Sequence, residues 1–353
     1  MIHFAWLQSR AQFVAAAVGL VAVAILAAVT GPHLAHLYDT TVASCHVGCH
    51  ADASTFFSND HALRIGFDAL VAVVPAILGM FLGAPLIARE LEERTFKLAF
   101  TQSVTRSGWL VAKLAVVGLA AVAAAGVTSL IVTWWAAPLD HAQMNPYATF
   151  DYRDIAPVGY AAFAFVLAAV FGLLLRRTLA AMVLTLVAFL AARLAADHWI
   201  RPNLLAPLHK YLALNPATTG YGNNRGGLLP GSGPATSSLQ PVAPNIPRAW
   251  ITSIQIVNHH GARLGTGALA HTCPQLVNNA GGGGAQGAVP ASRAAQRTLH
   301  DCVARIGTKF HEVVGYQPAS RYWTFQWLEL AIYVAAALIL AGACLWLIRR
   351  RLA

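Results

Sequence analysis

The run Cys45-His46-Val47-Gly48-Cys49-His50 is the densest group of metal- and redox-capable side chains in this chain. Thiolate and imidazole together are zinc or copper ligands. The run is one residue wider than the C-x-x-C-H of covalent haem attachment, which counts against haem. Cys273 and Cys302 lie far downstream, and Cys344 sits in an apolar run. On the outer face of a membrane disulfides persist, and four cysteines there suggest two bridges. Three connectivities exist for four cysteines. Cys45–Cys49 with Cys273–Cys302 is the preferred pairing because each partner is local. The second bridge would add about 3 kcal/mol by restricting its loop. Bridging is favoured over ligation, so the chain is expected to hold no metal and no cofactor of its own.

A second set is ionic. Arg193 and Asp197 are four residues apart, and Glu329 lies one turn into a later apolar run. Charged groups inside apolar helices are costly and are read first as functional. Two readings compete: a helical ion pair that snorkels to the membrane surface, or a trio lining the outer mouth of a substrate path. Neither H-E-x-x-H nor G-x-S-x-G occurs, and His259-His260 has no nucleophile at a telling spacing. An enzyme is not expected.

What positions these groups is a membrane. Of the 353 residues 57% are hydrophobic and only 11% charged, against about a quarter charged in a soluble domain. One globular core cannot hide that excess, so a lipid bilayer must solvate it. Six apolar segments approach the roughly 20 residues of a crossing: Phe13–Thr30, Phe67–Ile87, Leu114–Ala137, Pro157–Leu175, Thr178–Ala196 and Phe325–Ile348. The fourth and fifth are separated only by Arg176 and Arg177 and should form a tight hairpin. Trp134, Trp135, Trp323 and Trp327 mark membrane interfaces. Pro75 should bend the second helix. Small residues from Ala121 to Ser129 suit close approach by another helix, as at a dimer interface.

Lys and Arg give the orientation. Arg10, Arg89, Arg94, Lys97, Arg106, Lys113, Arg176, Arg177 and Arg349 to Arg351 fall on one side, and Asp39, Asp52, Asp60, Asp140, Asp151 and Asp154 on the other. By the positive-inside rule both termini are cytoplasmic. The net charge of +10 is thereby explained by helix orientation, and no nucleic-acid partner is expected. The expected fold is an all-α integral membrane protein of the plasma membrane. Residues 1–197 hold a leading amphipathic segment (Ile2 to Gln12) and five helices, 198–324 a small, partly irregular extracellular cap, and 325–353 the sixth helix and a basic tail. Within the cap, Asn223 to Pro247 and Gly281 to Gly284 read as loop. From Ser292 to Val314 an apolar stripe (Ala295, Leu299, Cys302, Ile306, Phe310 and Val313) predicts a helix.

The cytoplasmic stretch 88–113 mixes acids and bases with apolar residues. Gly83-Ala84-Pro85-Leu86-Ile87-Ala88-Arg89-Glu90, then Glu93-Arg94-Thr95, Gln102-Ser103-Val104-Thr105-Arg106 and Lys113, resembles the corresponding loop of type-2 membrane subunits of ATP-binding-cassette (ABC) exporters. The layout of six helices with an outer insertion before the last is also similar, although that insertion is longer than the family's short re-entrant helices. The resemblance implies a coupling loop that docks on a separate ABC ATPase subunit, with Glu90, Arg94, Thr95 and Arg106 as contacts. It also implies pairing with a second copy or a homologous subunit. No G-x-x-x-x-G-K-[ST] occurs, so ATP and Mg belong to the partner. The expected function is export of a hydrophobic or amphiphilic substrate. The competing reading is a membrane-anchored extracellular binding or sensory protein for a ligand, haem or metal, without transport.

Overall fold

The computed structural model describes residues 2–44, 61–92, 106–142, 145–213, 246, 248–264, 297, 301–302 and 304–351. Two compact units result, Met1–Leu205 with Ala319–Ala353, and Ala206–Pro318.

The first unit is a helical bundle. Its long helices are α1 (Ile2–Tyr38), α2 (His61–Glu92), α3 (Arg106–Trp135), α4 (Ala156–Leu175), α5 (Thr178–Ala195) and α6 (Tyr322–Arg351). Each contains a stretch long and apolar enough to cross a membrane. Residues Ile2 to Gln12 are helical and run without a break into the first crossing. Helix α2 continues through both Pro75 and Pro85. The α4–α5 hairpin is as tight as expected. Arg176 adopts a left-handed conformation (φ 53°) and donates its amide to Gly172 O at 3.1 Å, Arg177 is extended, and α5 begins at Thr178. The first turn of α5 is capped from α2: Glu92 accepts the Thr178 amide at 3.0 Å and its hydroxyl at 2.7 Å. These bonds to Thr178 hold the Glu92 carboxyl below its ordinary range, as expected of an anion at a helix N-terminus.

Helix α4 is the hub. Its small residues Ala161, Ala164 and Ala168 are fully buried, and its backbone meets α2 at Gly79 and Gly83. A Cβ added at Gly79 would lie 2.5 Å from Ala164 Cβ, and one at Gly172 2.9 Å from the Ala84 carbonyl oxygen. This spacing, Gly79-x-x-x-Gly83 against Ala164-x-x-x-Ala168, is the small-residue packing that lets membrane helices approach closely. The core continues at one end through Leu82, Leu110, Val117, Phe165, Leu173 and Ile348. At the other end it continues through Leu34, Phe67, Val132, Trp135, Leu139 and Tyr152. Ala121, Ala124, Ala125, Thr128 and Ser129 are buried within this bundle, so the small face of α3 packs inside the chain rather than against a second copy.

The second unit corrects the all-α expectation. It holds an antiparallel sheet of order β1-β3-β2, formed by β1 (Leu208–Ala213), β2 (Trp250–Asn258) and β3 (Phe310–Gln317). The predicted helix ending at Val314 is wrong at its C-terminal end. Residues 304–307 are helical, a turn follows, and Phe310 and Val313 lie in β3. The strand wins because it is central: Val313 pairs with both Tyr211 and Gln255, and Val314 with Lys210 and Ile254. Tertiary pairing of a β-branched pair overrides an apolar spacing that also fits a helix. Cys302 and Ile306 are buried, as the stripe implied. Cys344 is a buried free thiol, while Cys45, Cys49 and Cys273 lie outside the described residues.

Candidate functional site

The helix ends at which α3 stops, α4 starts, α5 stops and α6 starts carry the polar residues. Helix α5 passes through a wide turn, Ala196–Ile200, into the short helix Arg201–Leu204. That keeps Arg193, Asp197 and Arg201 in register at i, i+4 and i+8, on one helical face. Facing them are Glu329, two turns into α6, and Asp151, in the connection between α3 and α4.

The five groups close on one another. Glu329 Oε1 accepts from Arg193 Nη1 at 2.9 Å, Arg201 Nη2 at 2.9 Å and the Tyr160 hydroxyl at 2.7 Å. Its Oε2 accepts from Arg201 Nε at 2.9 Å. Arg193 Nη2 reaches Asp151 Oδ1 at 2.8 Å and Asp197 Oδ1 at 3.6 Å. Arg201 Nη2 pairs with Asp151 and, at 3.0 Å, with Asp197. The Arg193 guanidinium lies 3.9 Å from the Tyr160 ring centroid, and that of Arg201 4.4 Å from Phe150. The Glu329 side chain is 3% exposed and that of Arg193 13%, whereas Asp151 and Asp197 keep about 30% of theirs open. Burial alone would raise the Asp151 carboxyl, but Arg201 and Arg193 outweigh it and hold it below its usual range. Two guanidiniums against three carboxylates leave a formal charge of −1. Oxygens of Asp151, Asp197 and Glu329 come within 4.8 Å of one another; the two arginines already sit on those oxygens.

A second network abuts the first. Arg153 grips Asp140 through both carboxylate oxygens, at 3.0 and 2.9 Å, and donates to the Tyr322 hydroxyl at 3.2 Å. Tyr322 in turn donates to Asp154. Gln326 donates to Tyr322 at 3.0 Å and to Phe150 O at 3.2 Å, and accepts the Ala156 amide at 2.8 Å, capping α4. The α3–α4 connection is thereby bolted to the start of α6. Charge-assisted bonds of this kind are the strong ones, and each carries weight only while its partners are present.

The structure brings together all three residues read as a substrate path, Arg193, Asp197 and Glu329. The Arg193–Asp197 contact is there, but Arg193 turns inward to α6 instead of snorkelling outward. Sequence reading missed Arg201, Asp151 and Tyr160. Arg201 was legible as the next step of the same four-residue spacing. Asp151 was visible only as one of several loop acids. Among the coupling residues, Glu90 lies in the last turns of α2 and Arg106 begins α3. Their side chains, with Arg94 and Thr95, lie outside the described residues.

Comparison with known proteins agrees with the layout. No curated protein and no solved structure matches the chain. Residues 17–201 match the family described as ABC-2 membrane transporter related, a stretch that runs from α1 through α5 and includes Asp151, Arg193, Asp197 and Arg201. This match covers just over half of a chain with six membrane-length helices, and the protein belongs to the ABC-2 membrane transporter related family.

Proposed function

We propose that this multi-pass membrane protein is the permease subunit of an ATP-driven exporter, powered by a separate ABC ATPase subunit. The observation that carries the reading is the family match over residues 17–201, laid on a bundle of six membrane-length helices. The loop 88–113, between the ends of α2 and α3, is the docking surface, with Glu90, Arg94, Thr95 and Arg106 as its contacts and with both termini on the same, cytoplasmic side. ATP and Mg sit on the partner. A second copy or a homologous subunit completes the pathway. The middle turns of all six helices carry no Asp, Glu, Lys or Arg, which supports a hydrophobic or amphiphilic substrate. The Arg193, Asp197 and Glu329 cluster, with Arg201 and Asp151, closes the outer end of the path, and its pairs exchange when the path opens. Outside, Cys45–Cys49 and Cys273–Cys302 bridge the loops.

The test is affinity purification from mild detergent with an ATPase assay on what co-purifies. A stoichiometric ATPase, lost on Glu90→Lys or Arg106→Glu, supports the reading; a chain that purifies alone and shows no dependence on that loop sinks it. One observation favours the second reading, a binding protein without transport. One face of the sheet lines a cavity of about 350 Å³ with His209, Tyr211, Gln255, His259 and His311, and the Tyr211, His311 and His259 rings follow one another at 5.5 and 5.7 Å. A ligand retained there by a protein that neither binds nor stimulates an ATPase would favour that alternative.

A further inference from the structure

A groove of about 480 Å³ lies between α1 and the end of α3, lined among others by Gly31, Pro32, Tyr38, Asp39, Trp134 and His141. Pro32 and Ala35 form its apolar floor. Trp134 is its wall: the indole leans over Gly31, where an added Cβ would lie 3.2 Å from the ring, and 58% of it stays exposed. Its neighbour Trp135 is fixed behind, donating to Thr30 Oγ1 at 2.9 Å and stacking on Phe67 at 4.2 Å. The other rim is polar. The Tyr38 and His141 rings stand 6.0 Å apart, and Asp39 is exposed and makes no ion pair among the described residues.

The depth and the charge of this groove both select its occupant. It sits at the ends of two membrane-length stretches, Ala16–Ala43 and Gly108–Trp135, where acyl chains give way to headgroups and where tryptophans concentrate. No Lys or Arg occurs between Arg10 and Arg64, nor between Lys113 and Arg153, and Arg153 is held by Asp140. The elements forming the groove therefore present a carboxylate with no cation of their own. Aromatic faces beside a carboxylate attract an ammonium group, and an apolar floor accepts the chain below it.

We infer that this groove binds a membrane lipid with an ammonium headgroup, placing the headgroup between Trp134, Tyr38 and Asp39 and its upper acyl chain along Pro32 and Ala35. The inference is independent of ATPase coupling. It is tested on the detergent-purified protein, delipidated and offered equal amounts of phosphatidylcholine and phosphatidylglycerol, with retained lipid counted by native mass spectrometry. Wild type should retain phosphatidylcholine over phosphatidylglycerol by about fivefold. Asp39→Asn and Trp134→Ala should each bring that ratio close to one, and Asp39→Lys should reverse it. Asp39 and Trp134 are surface groups, and an unchanged elution volume of each variant shows that it has folded. Equal retention of the two lipids by wild type, or a preference unchanged by Asp39→Asn and Trp134→Ala, overturns the proposal.

Discussion

Helices α4 and α5 are neighbours in the chain, joined by two arginines, yet they are held by different forces. Helix α4 is fixed by shape: Gly79, Gly83 and Gly172 leave no room between its backbone and that of α2. Along α5 only Ala181, Thr185 and Phe189, four residues apart, are buried, while Leu179, Val183 and Val187 are more than half exposed. Its last turn is held by charge, through Arg193 and then Arg201 to Glu329. The difference teaches which of the two can move. Close packing is lost with any shift of an ångström, because dispersion falls off steeply with distance. Guanidiniums sharing three carboxylates can trade partners and keep a pair throughout. In the exporter proposed here, α5 would be the moving side, and the α2–α4 seam, with α6 packed on α4 at Gly159 and Leu330, the fixed frame.

The largest effect should come from the charged side. Glu329→Ala leaves both arginines buried without their innermost partner and should cost about 3–5 kcal/mol, read as a fall in thermal unfolding temperature in detergent. Adding Arg193→Met should restore part of it; a double variant no better than the single would mean the pair is not coupled. Next comes the seam. Gly79→Ala forces a Cβ into Ala164 and should cost about 2–3 kcal/mol by overpacking, with no rescue from any change in the cluster. A silent Gly79→Ala would remove the shape side of the comparison.

Acid separates the two sides further. The Asp151 carboxyl is held below its ordinary range by Arg201 and Arg193, so its contribution is full above the unfolded value of about 3.9 and is lost as pH falls through the folded one. Unfolding below pH 4 should be less steep in Asp151→Asn than in wild type, whereas Gly79→Ala should keep the wild-type slope. In the sheet unit the sign is opposite. Burial pushes the Glu312 carboxyl up, and its Oε1 has no hydrogen-bond partner among the described residues. Stability there is present at low pH and lost as pH rises through the raised value. Glu312→Gln should therefore stabilise by about 1 kcal/mol at neutral pH, and equal stability of the two would refute the burial argument. Least of all, Leu179→Ala on the exposed face of α5 should change stability by under about 0.5 kcal/mol. A large effect would mean that this face is covered in the working assembly.

Composition and the spacing of Lys and Arg were enough to read six crossings and the Arg176–Arg177 hairpin, because the bilayer imposes length and apolarity residue by residue. They were enough, too, to single out Arg193, Asp197 and Glu329, since charge in an apolar helix stands out against its surroundings. What only tertiary structure decided is partnership. That Glu329 receives two arginines, that Asp151 joins them, and that Arg153 reaches Tyr322 as well as Asp140 depend on α6 meeting, at one end, elements more than a hundred residues before it. The same holds for Phe310 and Val313: their spacing fits a helix, and two flanking strands make them the centre of a sheet. Local spacing records what one segment prefers, whereas ion pairing and strand pairing are settled between segments, by which surfaces the close-packed α2–α4 seam and the sheet register bring within reach.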